Sequence, residues 1–207
     1  MPVEEELRLA ELLCARLCHD LSGPIAGASA GAELLADEDP PDADTAALVA
    51  ESVAVATRLL RVLRAALGSG SQPFAVAELE ALARSLFPES GAIRLALRVE
   101  TGESGCGRVA GKALLNLLMV SRDALPRGGC VTATITPGHA DGPGRVEIVS
   151  EGARIVADEA IAALAAVSTA ELGPRGAQAF YTGRLVASSG QTLTVAQNAG
   201  RLTMTVE

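Results

Sequence analysis

The sequence predicts an α+β protein: an N-terminal helical hairpin forming a dimeric four-helix bundle, followed by an α/β sandwich. Three observations lead there. Apolar residues recur at heptad spacing through the first third, and strand-like alternation begins only after a glycine-serine break. The apolar faces of the two leading helices are also too wide for one hairpin to bury, so a second chain is expected. Composition agrees: the 207 residues are 49% hydrophobic, with 2% aromatic and no Trp. Such a core has to be aliphatic and closely packed, and helices of Ala and Leu supply that.

The first helix is predicted over Val3–Asp37, interrupted only at Pro24, with Leu7, Ala10, Cys14, Leu17 and Leu21 on its apolar stripe. The acidic, proline-containing stretch Asp37–Asp44 reads as a turn, with Asp42 or Asp44 placed to cap the next helix. That helix is predicted over Thr45–Leu67, its stripe Leu48, Ser52, Val55, Leu59, Val62 and Ala66 widened by Leu60, Leu63 and Leu67. Gly68-Ser-Gly-Ser-Gln-Pro73 ends it. Gly23, Gly27 and Gly31 recur every four residues, which suits a dimer seam, a docking surface or plain close helix packing.

Beyond the break, a helix is predicted over Val76–Leu86 and a strand over Ile93–Glu100, where Ile93, Leu95, Leu97 and Val99 alternate with Arg94, Ala96 and Arg98. A helix over Arg108–Leu125 leads to strands at Cys130–Thr136 and Arg145–Ser150. Helices at Asp158–Val167 and Gln178–Ser188 precede a closing hairpin, Thr192–Ala196 and Arg201–Val206, turning at Asn198–Gly200.

The formal charge of −8 and the scarcity of aromatics argue against nucleic acid, where phosphate neutralisation and stacking dominate. No apolar run approaches the roughly 18 residues of a membrane span, and the acidic N-terminus is unlike a signal peptide, so a cytoplasmic protein is expected. Cys14, Cys18, Cys106 and Cys130 are spaced as reduced, buried thiols. Cys14 and Cys18 with His19 resemble half a metal site, but no second Cys/His pair completes four ligands, and no metal is expected.

With Leu7, Cys14 and Leu21 at heptad position a, His19 falls at f, opposite the seam, among Arg16, Ser22, Gly23 and Ala26. An exposed imidazole is a nucleophile near neutral pH, and the adjacent Asp20 can hold or deprotonate it. Phosphoryl transfer asks little more of this side than an aligned nucleophile. The plainer reading is an idle surface histidine. His139, in the loop Pro137–Gly144, is the other candidate and has no helix to position it.

His19-Asp20-Leu21-x-x-Pro24-Ile25 resembles the H-box of histidine kinase dimerisation domains, in which the His is phosphorylated, an acid follows and a Pro interrupts the helix. Leu114-Leu115-Asn116-Leu117-Leu118, then Leu125-Pro126-Arg127-Gly128-Gly129, resembles the kinase N-box. The magnesium-binding Asn of that box falls at Val120, which offers no oxygen ligand. Ser150 and Arg154 stand where the next box carries its adenine-binding Asp and its second Gly. Gly173-Pro174-Arg175-Gly176 occupies the last phosphate loop, with Pro174 removing an N–H. Three elements depart together, so the fold is expected to persist without its nucleotide, leaving Gly128, Gly152 and Gly173 as turns.

This combination resembles the ChpT-type histidine phosphotransferases, on Leu17-Cys18-His19-Asp20 with Pro24, on Leu115-Asn116 with Ala124-Leu125-Pro126 and Gly128-Gly129, and on Gly173-Pro174 leading to Gln178-Ala179 and Tyr181. The resemblance implies residues 1–69 as a dimerisation and phosphotransfer hairpin and 74–207 as a degenerate ATPase-like domain resembling that of histidine kinases. It implies a homodimer that accepts a phosphoryl group on His19 from the receiver domain of a hybrid histidine kinase and passes it to response-regulator receivers, in cell-cycle phosphorelays. Asp20 would orient or deprotonate the imidazole, and Arg16, Ser22 and Gly23 would contact phosphate or receiver. No cofactor would be bound by this chain, Mg²⁺ being supplied by the partner receiver. The alternatives are an active sensor kinase core using ATP and a non-catalytic dimeric scaffold.

Overall fold

A computed structural model describes residues 2–37, 42–100, 106–136 and 144–207. His139 lies outside the described residues. Helix α1 (Val3–Asp37) runs through Pro24 unbroken, and α2 (Ala43–Leu67) follows. Asp42 caps α2: its Oδ2 accepts from the Thr45 N–H and from Thr45 Oγ1, each at 2.8 Å. The backbone bond from Thr45, and then its hydroxyl, hold the Asp42 carboxyl below its ordinary range.

The two helices approach closely through glycine. A Cβ on Gly27 would lie 3.1 Å from Ser52 Oγ, and one on Gly31 2.5 Å from Val49 Cγ2. The contacts advance along α1 as they recede along α2, so the helices lie antiparallel. Gly27 and Gly31 thus serve packing within the chain, and a Cβ on Gly23 would meet open space.

The stripe expected to be buried on α1 is not the one that this chain buries. Leu7 is 62% exposed and Cys14 is exposed, whereas Arg16 and Gly31 are buried. The heptad pattern marks a face that the chain's own α2 does not cover, while Arg16 goes inward for a reason of charge described below. Cys18 is exposed as well, so of the four thiols only Cys106 is fully buried as expected.

Helix α3 (Val76–Ser85) leads to β1 (Ile93–Val99), whose burial alternates as its sequence does. Helix α4 (Arg108–Ala124) crosses to β2 (Gly129–Thr136), which pairs parallel with β1, Ile93 opposite Gly129 and Val99 opposite Ile135. β3 (Arg145–Glu151) is antiparallel to β2. Helices α5 (Asp158–Ala165) and α6 (Pro174–Ser188) precede β4 (Leu193–Asn198) and β5 (Arg201–Val206), giving the order β1-β2-β3-β5-β4.

α4 lies on the sheet and is covered by α2 and α6. Leu114, Leu115, Leu117, Leu118 and Met119 have no exposed surface, each contributing about 2 kcal/mol through burial. Beneath them, Val131, Ala133 and Ile135 of β2, Ile148 of β3, and Leu202 and Met204 of β5 are equally closed off. The turn into β2 needs glycine twice: Gly128 has φ +80° and Gly129 φ +152°.

Boundaries shift by one or two residues at several elements, α2 starting at Ala43 and α5 ending at Ala165, and the largest departure is at α6. α6 begins at Pro174 rather than Gln178, with Gly173 at its N-cap and the proline in its first turn, where a missing N–H costs nothing. The segment Gly173–Gly176 is therefore a helix start and not a loop. Among the described residues, no helix is long and apolar enough to cross a membrane.

Candidate functional site

His19 stands on α1 with its side chain 73% exposed. Its Nδ1 lies 3.1 Å from Asp20 Oδ1. A carboxylate can only accept, so Nδ1 carries the proton, which leaves Nε2 as the ring nitrogen not engaged by Asp20. Asp20 is held from behind: its other oxygen, Oδ2, accepts from Arg16 Nε at 2.8 Å, and its side chain is only 9% exposed.

Arg16 is 3% exposed and does not present itself to solvent. Its Nη2 donates to Asp123 Oδ2 at 2.6 Å, reaching from α1 to the last turn of α4. Burial alone would lower the guanidinium pKa, but the charge and hydrogen bond of Asp123, and then those of Asp20, raise it above its ordinary value. Arg16 is therefore not the surface residue expected: its Nε and Nη2 are engaged by two carboxylates. Hydrophobic periodicity could not reveal this. The signal lay in Asp123 itself, a carboxylate at a helix C-terminus, where the macrodipole disfavours it unless a cation answers.

Ser22 folds its hydroxyl back onto the helix, donating to the Cys18 carbonyl at 2.6 Å. Gly23 leaves open space one turn beyond His19. The second half of the chain approaches the histidine from the other side, forming a cleft of about 300 Å³ lined by Arg16, His19, Glu159, Pro174 and Arg175. A second tie, Ser168 Oγ donating to Glu5 Oε1 at 2.7 Å, joins the segment between α5 and α6 to the start of α1. Glu159, Pro174 and Arg175 reach His19 only through the packing of α5 on α6 and of α6 on α1, which no local sequence pattern reveals.

The kinase-like positions are engaged internally. Asn116 is fully buried, donating to the Ala66 carbonyl at 3.1 Å and to the Lys112 carbonyl at 2.8 Å, while Gln178 Nε2 donates to its Oδ1 at 3.3 Å. The side chain thus docks the end of α2 onto α4 and α6. Val120 is 6% exposed within the core, and Ser150 is buried with no hydrogen-bond partner for its hydroxyl among the described residues. Gly152 packs against Leu125 and the Gly128 carbonyl, where a Cβ would come within 2.7 and 2.8 Å. At Gly173–Gly176 the Glu159 carboxylate faces the glycines, 3.2 and 3.3 Å from where their Cβ atoms would be, so the start of α6 meets an internal carboxylate. Among the described residues no three His, Cys, Asp or Glu side chains converge as a metal site.

The fold is a mixed five-stranded sheet with helices on it, preceded by two long helices. The histidine kinase AdeS of Acinetobacter baumannii shares this fold at TM-score 0.51, with 14% identity, over 91% of this chain and 95% of its own. A solved bacterial phosphotransferase is much nearer, with TM-score 0.80 and 25% identity over 97% of this chain and 96% of its own.

In sequence, the protein phosphotransferase ChpT of Brucella abortus (strain 2308) is 29% identical over 138 residues, 65% of this chain. The match spans 64% of that relative's length. The family model of the histidine phosphotransferase C-terminal domain matches residues 76–201. The chain belongs to the histidine phosphotransferase family.

Proposed function

We propose that this protein is a phosphorelay histidine phosphotransferase, with His19 carrying the phosphoryl group between receiver-domain aspartates. The observation that carries the reading is the ordered line Asp123–Arg16–Asp20–His19, which ends in an exposed imidazole. Nε2 of His19 attacks the phosphorus of an aspartyl phosphate on a docked receiver. The N–P bond forms as the acyl O–P bond breaks, and the receiver carboxylate leaves. Positive charge that develops on the ring is met by Asp20 through Nδ1–H. The reverse steps deliver the group to a second receiver. A docked receiver would bring its own Mg²⁺, which would screen the phosphoryl oxygens. Gly23 leaves room for the incoming domain, and Ser22 keeps its hydroxyl against the helix. Arg16 acts through Asp20 as a positioning residue.

The active protein is proposed to be a cytoplasmic homodimer built on residues 1–69, with 74–207 as the degenerate ATPase-like domain. Support comes from exposed Leu7, Ile25, Leu34, Leu48, Val53 and Leu60, an apolar surface on α1 and α2 that a four-helix bundle would cover. Internal engagement of Asn116 supports transfer without ATP. The test is to incubate the protein with labelled phospho-receiver and, separately, with labelled ATP. Acid-labile label from the receiver alone, absent in His19→Ala, is expected. Label from ATP alone would establish a kinase, and no label from cognate receivers would leave a scaffold.

A further inference from the structure

A second cavity, of about 910 Å³, opens where the end of α2, the following linker and α3 meet the start of α4. It shares no lining residue with the histidine cleft. Its size is within the range of small-molecule sites. Arg58, Arg61 and Arg64 of α2 and Lys112 of α4 line it, against one carboxylate, Glu78. This is a concentration of positive charge in a chain whose formal charge is −8.

Among the described residues, none of the three arginines has an ion-pair or hydrogen-bond partner for its side chain. Like charges three residues apart on one helix repel. The helix dipole accounts for one cation in the last turn, Arg64, but not for Arg58 and Arg61 as well. Lys112 is stronger evidence. It is 3% exposed, and its ammonium donates to the Gly68 carbonyl. An ammonium carries three N–H donors, so donor capacity remains at the cavity wall. Burial, and then the charge of Arg108, push its pKa down. Phe74 and Leu82 add an apolar wall.

We propose that this cavity binds a small organic polyphosphate, its phosphates held by Arg58, Arg61, Arg64 and Lys112 and its organic part laid against Phe74 and Leu82. Guanidinium groups bind phosphate oxygens in pairs, and several adjacent phosphates are what a short row of arginines matches. The ligand would bridge α2 and α4, the two helices that Asn116 already joins.

Calorimetric titration of the full chain tests this, with inorganic triphosphate, a nucleoside triphosphate and sulfate as separate probes. Both triphosphates are expected to bind once per chain, the nucleoside form more tightly, and sulfate at least about tenfold more weakly. Arg61→Gln combined with Arg64→Gln is expected to weaken binding at least about tenfold, with the melting temperature of the free protein retained. Arg145→Gln, on the distant strand β3, is expected to change nothing. Absence of triphosphate binding, equal affinity for sulfate, equal losses in the Arg145 variant, or saturation of this surface only by an acidic protein would each overturn the proposal. None of these readouts depends on phosphotransfer through His19.

Discussion

Arg16 and Asp123, 107 positions apart, meet at 2.6 Å, and through that contact the histidine-bearing helix is fastened to the end of α4. The same guanidinium holds Asp20 at 2.8 Å. Asp123→Asn removes one of the two charges that compensate a buried cation. Because the Asp123 side chain is 32% exposed, the expected loss is about 2 kcal/mol, below that for a fully buried pair. Urea unfolding measures it, and transfer from a receiver is expected to slow in parallel.

His19→Ala is expected to abolish labelling by a phospho-receiver. Asp20→Asn keeps a hydrogen-bonding group beside Nδ1 but removes the charge facing the ring, and the rate is expected to fall about 10²- to 10³-fold. Rapid-quench kinetics separate the two, since Asp20→Asn should still reach full labelling at long times.

Gly31→Ala puts a methyl 2.5 Å from Val49 Cγ2, a branched side chain that cannot swing away easily. Overpacking of about 1–3 kcal/mol is partly offset by roughly 1 kcal/mol of helix propensity, so a net loss of about 1 kcal/mol is expected. Val49→Ala in the same chain should recover most of it in thermal melts.

The apolar surface predicts the oligomeric state. Leu34 is 55% and Leu48 54% exposed on the adjacent helices α1 and α2. Leu34→Glu with Leu48→Glu is expected to shift sedimentation from dimer to monomer, leaving the C-terminal sheet signal in circular dichroism unchanged.

Cys106 is buried, which pushes its thiol pKa up from 9.0 to about 12. At pH 8 it is expected to escape alkylation while the exposed Cys14 and Cys18 react, and to join them only in denaturant. A raised pKa means the folded state keeps its proton longer than the unfolded one. Stability from this thiol is therefore intact below pH 9 and declines as pH rises from about 9 to about 12. Mass spectrometry of alkylated peptides and unfolding at graded alkaline pH check the two expectations.

Where apolar periodicity or strand alternation set the structure, the sequence was legible. The lengths of α1 and α2 and the half-buried row Ile93, Leu95, Leu97 and Val99 are examples. Features created by partners far along the chain were not. The burial of Arg16 depends on a carboxylate beyond 100 intervening residues, and polar periodicity carries no record of such a pair. The start of α6 was obscured because Gly-Pro ordinarily marks a turn, and here glycine caps a helix whose first turn accepts proline. The stripe carrying Leu7 and Cys14 reads in the sequence as too wide for one hairpin to bury, and in the single chain both residues are exposed.

The sharing of one guanidinium by Asp20 and Asp123 also bears on how such a protein can change over generations. Losing either carboxylate alone leaves a buried cation partly compensated, and losing Arg16 alone leaves two carboxylates without the cation they share. Positions 16, 20 and 123 are therefore expected to be inherited as a set. Drift at the junction with α4 is then constrained by the same selection that preserves the orientation of the imidazole, although Asp123 makes no hydrogen bond to His19.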